Sequence, residues 1–285
     1  MSGILQAIKQ HKDSLNRQEQ ALAAYLLDHA LEAVELSITE LAERSATSPA
    51  TISRFCKSLY FQGFADFKMK LAADLAQPDS APSYQDIVAG NPLDKIIAAM
   101  EANHLKSISD TTRLLDRKQL RLALDALGQA RHIDLYGVAT SGVVAQDFYQ
   151  KLVRIGKRTT SFSDPHMQIT SASTLQPGDV ALAISYSGET AETIQALLCA
   201  REQGATTISL TKYGSNRLSD LSDIKLFTST LEAGIRRGDM ASRIAQLHVI
   251  DILFTGLVSE QFGELVPRLE QSYQMVHKYR GKGSQ

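Results

Sequence analysis

The chain has 285 residues, of which 44% are hydrophobic, and its formal net charge at pH 7 is −1. At about 150 residues per domain, this length predicts two domains, each with enough apolar residues for a core. A nearly neutral chain excludes nucleic-acid binding through bulk charge alone, so such binding would need a local basic surface.

The two cysteines, Cys56 and Cys199, fall on different predicted helices in different predicted domains. They suggest neither a disulfide framework nor a metal cluster, and we expect a reducing compartment and no cofactor. No basic start followed by an apolar run opens the chain, and the most apolar late segment, 248–258, is interrupted by Asp251 and Gly256. We therefore expect a cytoplasmic protein without a signal peptide or a membrane span.

The first third of the chain has the pattern of a helix-turn-helix. Residues 5–75 read as helices throughout, and a tight turn at 45–47 joins two short ones. The second helix starts with Ser48 as N-cap and Pro49 at its first position. Its inward positions at helical spacing are Ile52, Phe55, Cys56 and Leu59. This arrangement predicts a recognition helix that enters the DNA major groove.

The opposite face of this helix supplies the candidate DNA contacts. They are Ser48, Ala50, Thr51, Ser53 and Arg54, with Lys57 placed on phosphates. Between Arg44 and Lys70, five basic residues stand against one acid, which leaves this region with a net charge of +4. A compact basic face favours DNA binding, whereas a three-helix protein-interaction bundle is the alternative explanation.

Residues 78–92 are predicted to be a linker, because three of the seven prolines fall between 77 and 92. This prediction places the helix-turn-helix domain in residues 1–77 and a second domain in residues 93–285. The second domain begins with an amphipathic helix over 93–115, whose apolar face could pack on its own domain or on a partner subunit.

Beyond residue 115, short apolar runs alternate with helical stretches. Strands are predicted at 132–138, 159–163, 179–184, 206–210 and 224–229. Helices are predicted at 117–127, 142–154, 166–174, 190–203, 240–262 and 265–279. The alternation predicts a three-layer α/β domain, in which helices cover both faces of a five-stranded, parallel sheet.

Two strand-to-helix turns, after strands 132–138 and 179–184, are rich in hydroxyl groups and glycine. Their residues are Thr140, Ser141, Gly142, Ser185, Ser187, Gly188 and Thr190. The first N–H groups of a helix lack intrahelical partners and attract anions, and the hydroxyl groups add donors. Because parallel strands end at the same edge of a sheet, we expect both turns to hold one ligand.

Helix capping is the alternative explanation of these hydroxyl residues, although three hydroxyls and a glycine in six residues exceed what one cap needs. Neither turn contains Gly-x-x-x-x-Gly-Lys-Ser or Gly-x-Gly-x-x-Gly. A small phosphorylated molecule is therefore favoured over a nucleoside triphosphate or a dinucleotide.

The stretch Ile184-Ser-Tyr-Ser-Gly-Glu-Thr190 resembles the signature of the SIS (sugar isomerase) domain family. In that family such turns hold the phosphate of a phosphosugar, which the resemblance carries onto Thr140, Ser141, Ser185, Ser187 and Thr190. A helix-turn-helix ahead of a SIS domain is similar to the RpiR family of bacterial transcriptional regulators. That similarity includes Ile52-Ser-Arg-Phe-Cys-Lys-Ser-Leu59 and Gly63-Phe-Ala-Asp-Phe-Lys68, and it spans nearly the whole chain.

Two further motifs resemble the RpiR members that regulate the use of N-acetylmuramic acid 6-phosphate. They are Asp164-Pro-His-Met-Gln168 and Ala241-Ser-Arg-Ile-Ala-Gln246. That sugar carries a phosphate and a carboxylate, both of which arginine binds well. Arg243 is preferred over Arg236 and Arg237 in the loop 233–239, which could equally be a solvated basic loop, and Glu232 precedes the same loop. His166 could hydrogen-bond a sugar hydroxyl or a carboxylate, or it could be a surface or capping residue.

The resemblance implies a homodimeric or homotetrameric regulator, more commonly a repressor, whose affinity for operator DNA changes when a phosphosugar binds. A SIS-type isomerase or etherase is the alternative, since Glu189 and Glu232 could act as a general base. A DNA-reading domain joined to a phosphosugar pocket already makes a complete sensor, so we expect no catalytic residue. The operator, the exact phosphosugar and the choice between dimer and tetramer stay open.

Overall fold

The computed structural model describes residues 4–5, 8–9, 12, 15–59, 61–75, 90–229 and 240–282. It divides the chain into two compact units. The first comprises Met1–Leu114, Tyr213–Ser215 and Ser229–Ser242, and the second comprises Leu115–Lys212, Asn216–Thr228 and Arg243–Gln285. The predicted linker lies outside the described residues except for 90–92. The helix predicted over 93–115 falls in the first unit up to residue 114, not in the unit that contains the sheet.

The first unit is helical. Its helices are α1 (Arg17–Asp28), α2 (Ala30–Ala33), α3 (Ile38–Arg44), α4 (Pro49–Ser58), α5 (Phe64–Leu75) and α6 (Leu93–Leu114). Helix α4 packs against α1, α3 and α5, and its apolar side is fully buried at Ile52 and Phe55. This packing confirms the predicted inward face.

The turn between α3 and α4 is closed by backbone hydrogen bonds. Thr47 N donates to Ala42 O at 2.8 Å and Ala46 N to Glu43 O at 3.2 Å. Ala46 has a φ of 51°, so α3 ends in a Schellman motif with a residue other than glycine in the left-handed position. Ser48 then caps α4 by accepting from Thr51 N at 3.1 Å. The predicted helix-turn-helix is therefore present.

The second unit alternates strands and helices. Its strands are β1 (Ile133–Tyr136), β2 (Thr159–Ser161), β3 (Val180–Ile184), β4 (Thr206–Lys212) and β5 (Ile224–Thr228). Its helices are α7 (Arg117–Gln129), α8 (Ala139–Arg154), α9 (Pro165–Ala172), α10 (Ala191–Glu202), α11 (Arg217–Leu221), α12 (Met240–Glu260) and α13 (Phe262–Lys282). The first three residues of α12, 240–242, are assigned to the first unit.

All five strands are parallel, in the order β2-β1-β3-β4-β5. In the central pair, Ile133 lies opposite Val180 and Tyr136 opposite Ala183. The strand order reverses between β1 and β3, which makes this pair the topological switch point where open α/β sheets bind ligands. The five-stranded parallel sheet and the three-layer arrangement are thus confirmed.

Helices cover both faces of the sheet. On one face Leu135, Leu182 and Ile208 pack with residues of α7, α8, α12 and α13. On the other, Tyr136 and Ala183 pack with residues of α9, α10 and α11. Every residue of β3 is buried, as expected for a central parallel strand.

Within the described part of the chain, α12 is long and apolar enough to cross a membrane by length and composition, with a mean hydropathy of 1.3. Its residues Val249, Ile250, Leu253 and Leu257 are buried in the core against the sheet. A buried core helix passes the same test, so this composition is explained by the packing of α12.

Candidate DNA interface and phosphosugar site

Helix α4 presents a short polar and basic surface. Ala50, Arg54 and Lys57 are exposed, Ser53 is half-buried and the N-cap Ser48 is exposed. No hydrogen bond or ion pair with another described residue engages the Arg54 or Lys57 side chain, so both charges are available at the surface of this helix.

Thr51 was expected on this outward face, and that expectation is wrong. Its side chain is 1% exposed, and its hydroxyl lies 2.9 Å from Ser48 Oγ and 3.2 Å from Gln18 Oε1. The hydroxyl group is satisfied inside the unit, so its polarity did not force it outward. Thr51 therefore ties α4 to α1 and does not line the candidate DNA surface.

Three of the five basic residues behind the net charge of +4 make ion pairs or hydrogen bonds within their own unit. Arg44 pairs with Glu32, and Lys70 Nζ lies 3.2 Å from an oxygen of Asp66. Lys68 Nζ donates to the backbone oxygen of Leu36 at 2.9 Å. The other two, Arg54 and Lys57, both lie on α4.

The first hydroxyl turn follows β1. Helix α8 begins at Ala139, three residues earlier than predicted, so Thr140 and Ser141 lie in its first turn and not in a preceding loop. Ala139 has a φ of 50°, an uncommon value for alanine that marks local backbone strain. The N-cap residue, Val138, gives no side-chain hydrogen bond to the helix.

Glycine at two positions lets this turn close tightly. A Cβ at Gly137 would lie 2.9 Å from the backbone oxygen of Ser141, and a Cβ at Gly142 would lie 3.1 Å from the oxygen of Gly137. Gly142, predicted as a ligand residue, thus has a packing role: it allows the end of β1 to approach the first turn of α8.

The second hydroxyl turn follows β3, the neighbour of β1. Ser185 Oγ lies 2.9 Å from Thr190 Oγ1 and accepts from Gly188 N at 3.2 Å. Ser187 Oγ accepts from Glu189 N at 3.2 Å. Although Thr190 occupies the N-cap position of α10, its side chain makes no capping hydrogen bond. The hydroxyl group of Thr190 is therefore not used to cap α10.

Asn216 is a residue of this site that sequence reasoning missed. Gly188 has a φ of +70°, and a Cβ there would collide with the side-chain oxygen of Asn216. Asn216 caps α11 by accepting from Ser219 N at 2.9 Å and donates to Thr211 Oγ1 at 3.1 Å. The available signal was an asparagine N-cap before a short helix.

Two buried glutamines support the site from neighbouring helices. Gln246 Nε2 of α12 donates to Ser141 Oγ at 3.3 Å, and Gln246 is 1% exposed. Gln168 Nε2 of α9 donates to Gly137 O at 2.9 Å and Phe162 O at 2.7 Å, joining the ends of β1 and β2. Both glutamines belong to the motifs singled out in the sequence, which gave no roles for them.

Of the three remaining predicted ligand residues, two are exposed and one lies outside the described residues. His166 is exposed near the start of α9, after β2, at the same sheet edge as the two turns. Arg243 is exposed on α12, one turn before Gln246, which contacts Ser141. Glu232 lies outside the described residues. Within the described residues there is no group of three or more His, Cys, Asp and Glu side chains that could hold a metal ion.

Comparison with known proteins matches both parts of the chain. The helix-turn-helix domain of the rpiR family matches residues 2–78, and the SIS domain matches residues 126–256. An uncharacterized HTH-type transcriptional regulator of Caldanaerobacter subterraneus is 41% identical over 281 residues, covering 97% of this chain and 98% of the relative. A second such regulator, from Bacillus subtilis, is 37% identical and covers 99% of both chains.

Among solved structures, the Vibrio vulnificus NanR protein complexed with ManNAc-6P is similar over 96% of this chain and 98% of that chain. Its sequence identity is 30% and its TM-score is 0.62. The two matched domains and the relatives matched over nearly their whole length confirm the resemblance to the RpiR family. The chain therefore belongs to the RpiR family of helix-turn-helix transcriptional regulators that carry a SIS domain.

Proposed function

We propose that this transcriptional regulator is a repressor that releases its operator when a phosphosugar binds at the carboxyl edge of the sheet. The observation that carries the proposal is the pair of hydroxyl-rich turns after β1 and β3, the two strands of the switch point. Backbone N–H groups of two helix starts and several hydroxyl groups suit a phosphate there.

The effector proposed is N-acetylmuramic acid 6-phosphate. The similar NanR structure holds ManNAc-6P, another hexosamine phosphate, which supports a ligand of this class. Arg243 would bind the lactyl carboxylate, since it lies on α12 one turn from the glutamine that reaches Ser141. Ser141, Ser185, Ser187 and Thr190 would bind the phosphate, which all such sugars share.

In the DNA-binding state, a cytoplasmic homodimer or homotetramer would present two copies of α4 to a pseudo-palindromic operator. Ala50, Ser53 and Arg54 would face the bases and Lys57 a phosphate. The phosphosugar would change operator affinity only through its different affinity for two arrangements of the paired α4 helices, one that fits the operator and one that does not.

An isomerase or etherase activity is not proposed. Glu189, the described candidate for a general base, uses Oε1 to accept from Arg217 N at 2.9 Å, which gives it a structural role. The full-length relatives are named as regulators. A turnover assay on hexose and hexosamine phosphates would reveal catalysis by conversion that scales with protein concentration.

Effector binding can be tested by dye-based thermal shift, because the chain has no tryptophan. A sugar at about 100 times its dissociation constant should stabilise the protein by about 2.7 kcal/mol. Ser187→Ala should lose this stabilisation and keep operator binding. The absence of a response to any phosphosugar would refute the effector part of the proposal.

The identity of the sugar can be tested with a matched pair. N-acetylmuramic acid 6-phosphate and N-acetylglucosamine 6-phosphate differ only in the lactyl ether. Arg243→Ala should weaken binding of the first and leave that of the second unchanged. Equal losses for both would place Arg243 on the phosphate, and no loss for either would remove it from the site.

Operator release is then measured on DNA selected from a random duplex library.

A further inference from the structure

Residues 213–215 follow β4 but belong to the first compact unit, whereas the residues on either side belong to the second. Tyr213 is 4% exposed, and its ring centroid lies 5.5 Å from that of Phe61 at an interplanar angle of 61°. Phe61 is 2% exposed and follows the recognition helix α4. The segment 213–215 thus makes a buried aromatic contact with the helix-turn-helix through Tyr213.

Phe61 is attached firmly to the end of α4. Its N–H donates to Cys56 O at 2.9 Å, and Cys56 is a fully buried residue of that helix. Its ring also meets Phe67 of α5 edge-on, with centroids 5.0 Å apart. Because close-packed side chains transmit displacement, a shift of Tyr213 would press on the carboxyl end of the recognition helix through Phe61.

Within the second unit, hydrogen bonds hold both flanks of residues 213–215 to the β3 turn. Lys212 N donates to Tyr186 O at 2.9 Å, and Leu218 N donates to Gly188 O at 3.0 Å. Arg217 N donates to Glu189 Oε1 at 2.9 Å. The turn that carries Ser185, Ser187 and Thr190 is therefore hydrogen-bonded to the residues on both sides of segment 213–215.

We propose that residues 213–215 transmit the state of the β3 turn to the recognition helix through the contact between Tyr213 and Phe61. An anion that reorders the hydroxyl groups of the turn would displace Lys212 and Arg217, and with them the residues between. This inference rests on the proposed function, since it describes how that site would control DNA binding.

A single tryptophan can report the contact, because the natural chain has none. In the full-length Tyr213→Trp variant, titration with N-acetylmannosamine 6-phosphate should shift the emission maximum of the tryptophan. The shift should follow the same dependence on sugar concentration as the thermal stabilisation of the protein. Tyr273→Trp, at a position 67% exposed on α13, is the control and should show no shift. If the sugar stabilises the Tyr213→Trp protein but leaves its tryptophan emission unchanged, the inference is wrong and the phosphosugar site stands.

If this sugar does not stabilise the wild-type protein, the proposed site does not bind it. A comparison of variants without sugar then tests the inference. Gly188→Ala should drive Asn216 away from the turn, because a Cβ there would collide with it. In the Tyr213→Trp background, this change should move the emission, while Gly263→Ala, which meets nothing within 4 Å, should not. Unchanged emission in folded Gly188→Ala protein would overturn the inference; if that variant does not fold, Glu189→Ala replaces it under the same criterion.

The functional consequence is tested on the selected operator DNA. Allosteric effectors typically change affinity by about 5- to 150-fold. Tyr213→Ala should reduce the sugar's effect on operator affinity to less than about two-fold and retain sugar binding, whereas Tyr213→Phe, which keeps the ring, should respond as wild type. A full response in Tyr213→Ala would overturn the inference.

Discussion

Thr51 and Arg54 are three residues apart on α4, yet one is buried and the other is exposed. The sequence pattern places Thr51 on the outer face of the helix because its hydroxyl group is polar. The capping residue Ser48 and Gln18 offer Thr51 hydrogen-bond partners inside the unit, so burial leaves no polar atom of this side chain unsatisfied. Arg54 has no such partner among the described residues, and its charge stays at the surface.

Arg54→Ala should therefore weaken operator binding by about 1–3 kcal/mol, the range expected for an arginine that contacts a base. Arg44→Ala is a matched control, since Arg44 pairs with Glu32 and lies outside α4. The measurement is a gel shift on the selected operator at physiological salt. Equal effects of the two substitutions, or no effect of Arg54→Ala, would place the DNA surface elsewhere.

Gln246 acts on the phosphosugar site through Ser141. An amide nitrogen only donates, so Gln246 Nε2 occupies a lone pair of Ser141 Oγ and leaves the serine O–H for a ligand. Gln246→Leu should lower phosphosugar affinity, and its effect should be mostly lost in a Ser141→Ala background. Coupled pairs of this kind deviate from additivity by about 0.5–3 kcal/mol.

A double-mutant cycle by calorimetric titration measures this coupling. The control cycle pairs Gln246→Leu with Ser187→Ala, because no hydrogen bond joins those two residues in the described structure, and it should be additive. Additivity in both cycles would show that Gln246 has only a structural role.

At the scale of elements, the strands were predictable because short apolar runs bounded by turn residues identify buried parallel strands. Helix α11 was missed since it has only five residues, and the start of α8 was placed too late because Thr140, Ser141 and Gly142 resemble a loop. The hydroxyl turns were visible locally. The supports Gln168 and Gln246 were not, because their partners are distant in the chain. Asn216 was missed together with the short helix α11 that it caps.

The tight junction between β1 and α8 should make Gly137 sensitive to substitution. In Gly137→Ala, the new methyl group would lie 2.9 Å from the oxygen of Ser141 and 3.2 Å from Gly142 N. Such overpacking costs about 1–3 kcal/mol, and the displaced turn should also lose phosphosugar affinity. Urea unfolding and thermal shift measure the two effects.

Gly263→Ala is the control for this substitution, since a Cβ there meets nothing within 4 Å and the residue lies in α13. It should be neutral or stabilise the protein by up to about 1 kcal/mol, because alanine favours a helix more than glycine does. Similar unfolding midpoints for Gly137→Ala and Gly263→Ala would contradict the steric argument.

At the scale of the whole molecule, a buried polar cluster in the second unit makes stability depend on pH. Asp134 is 0% exposed; it lies 2.9 Å from His132 Nε2 and accepts from Tyr136 Oη at 2.9 Å. The hydrogen bond to Asp134 raises the pKa of His132 above 6.5, against the effect of burial. Burial raises the pKa of Asp134, but hydrogen bonds led by that from His132 outweigh it and leave the pKa below 3.8.

The two shifts have opposite consequences for folding. Because the folded state raises the pKa of His132, its contribution is complete below pH 6.5 and is lost as the pH rises through the folded value. Because the folded state lowers the pKa of Asp134, its contribution is present above pH 3.8 and is lost as the pH falls through the folded value. The pair therefore stabilises the fold most between these limits.

We expect His132→Gln to reduce the fall in the free energy of unfolding between about pH 6 and pH 8, because glutamine cannot acquire the charge that Asp134 stabilises. At pH 6 the variant should be less stable by about 1–3 kcal/mol, the usual loss when a charged hydrogen bond is removed. His166→Gln is the control, since His166 is exposed and lies outside the cluster. Urea unfolding of the three proteins across this pH range decides the matter: parallel curves for wild type and His132→Gln would show that the pair carries no pH-dependent stability.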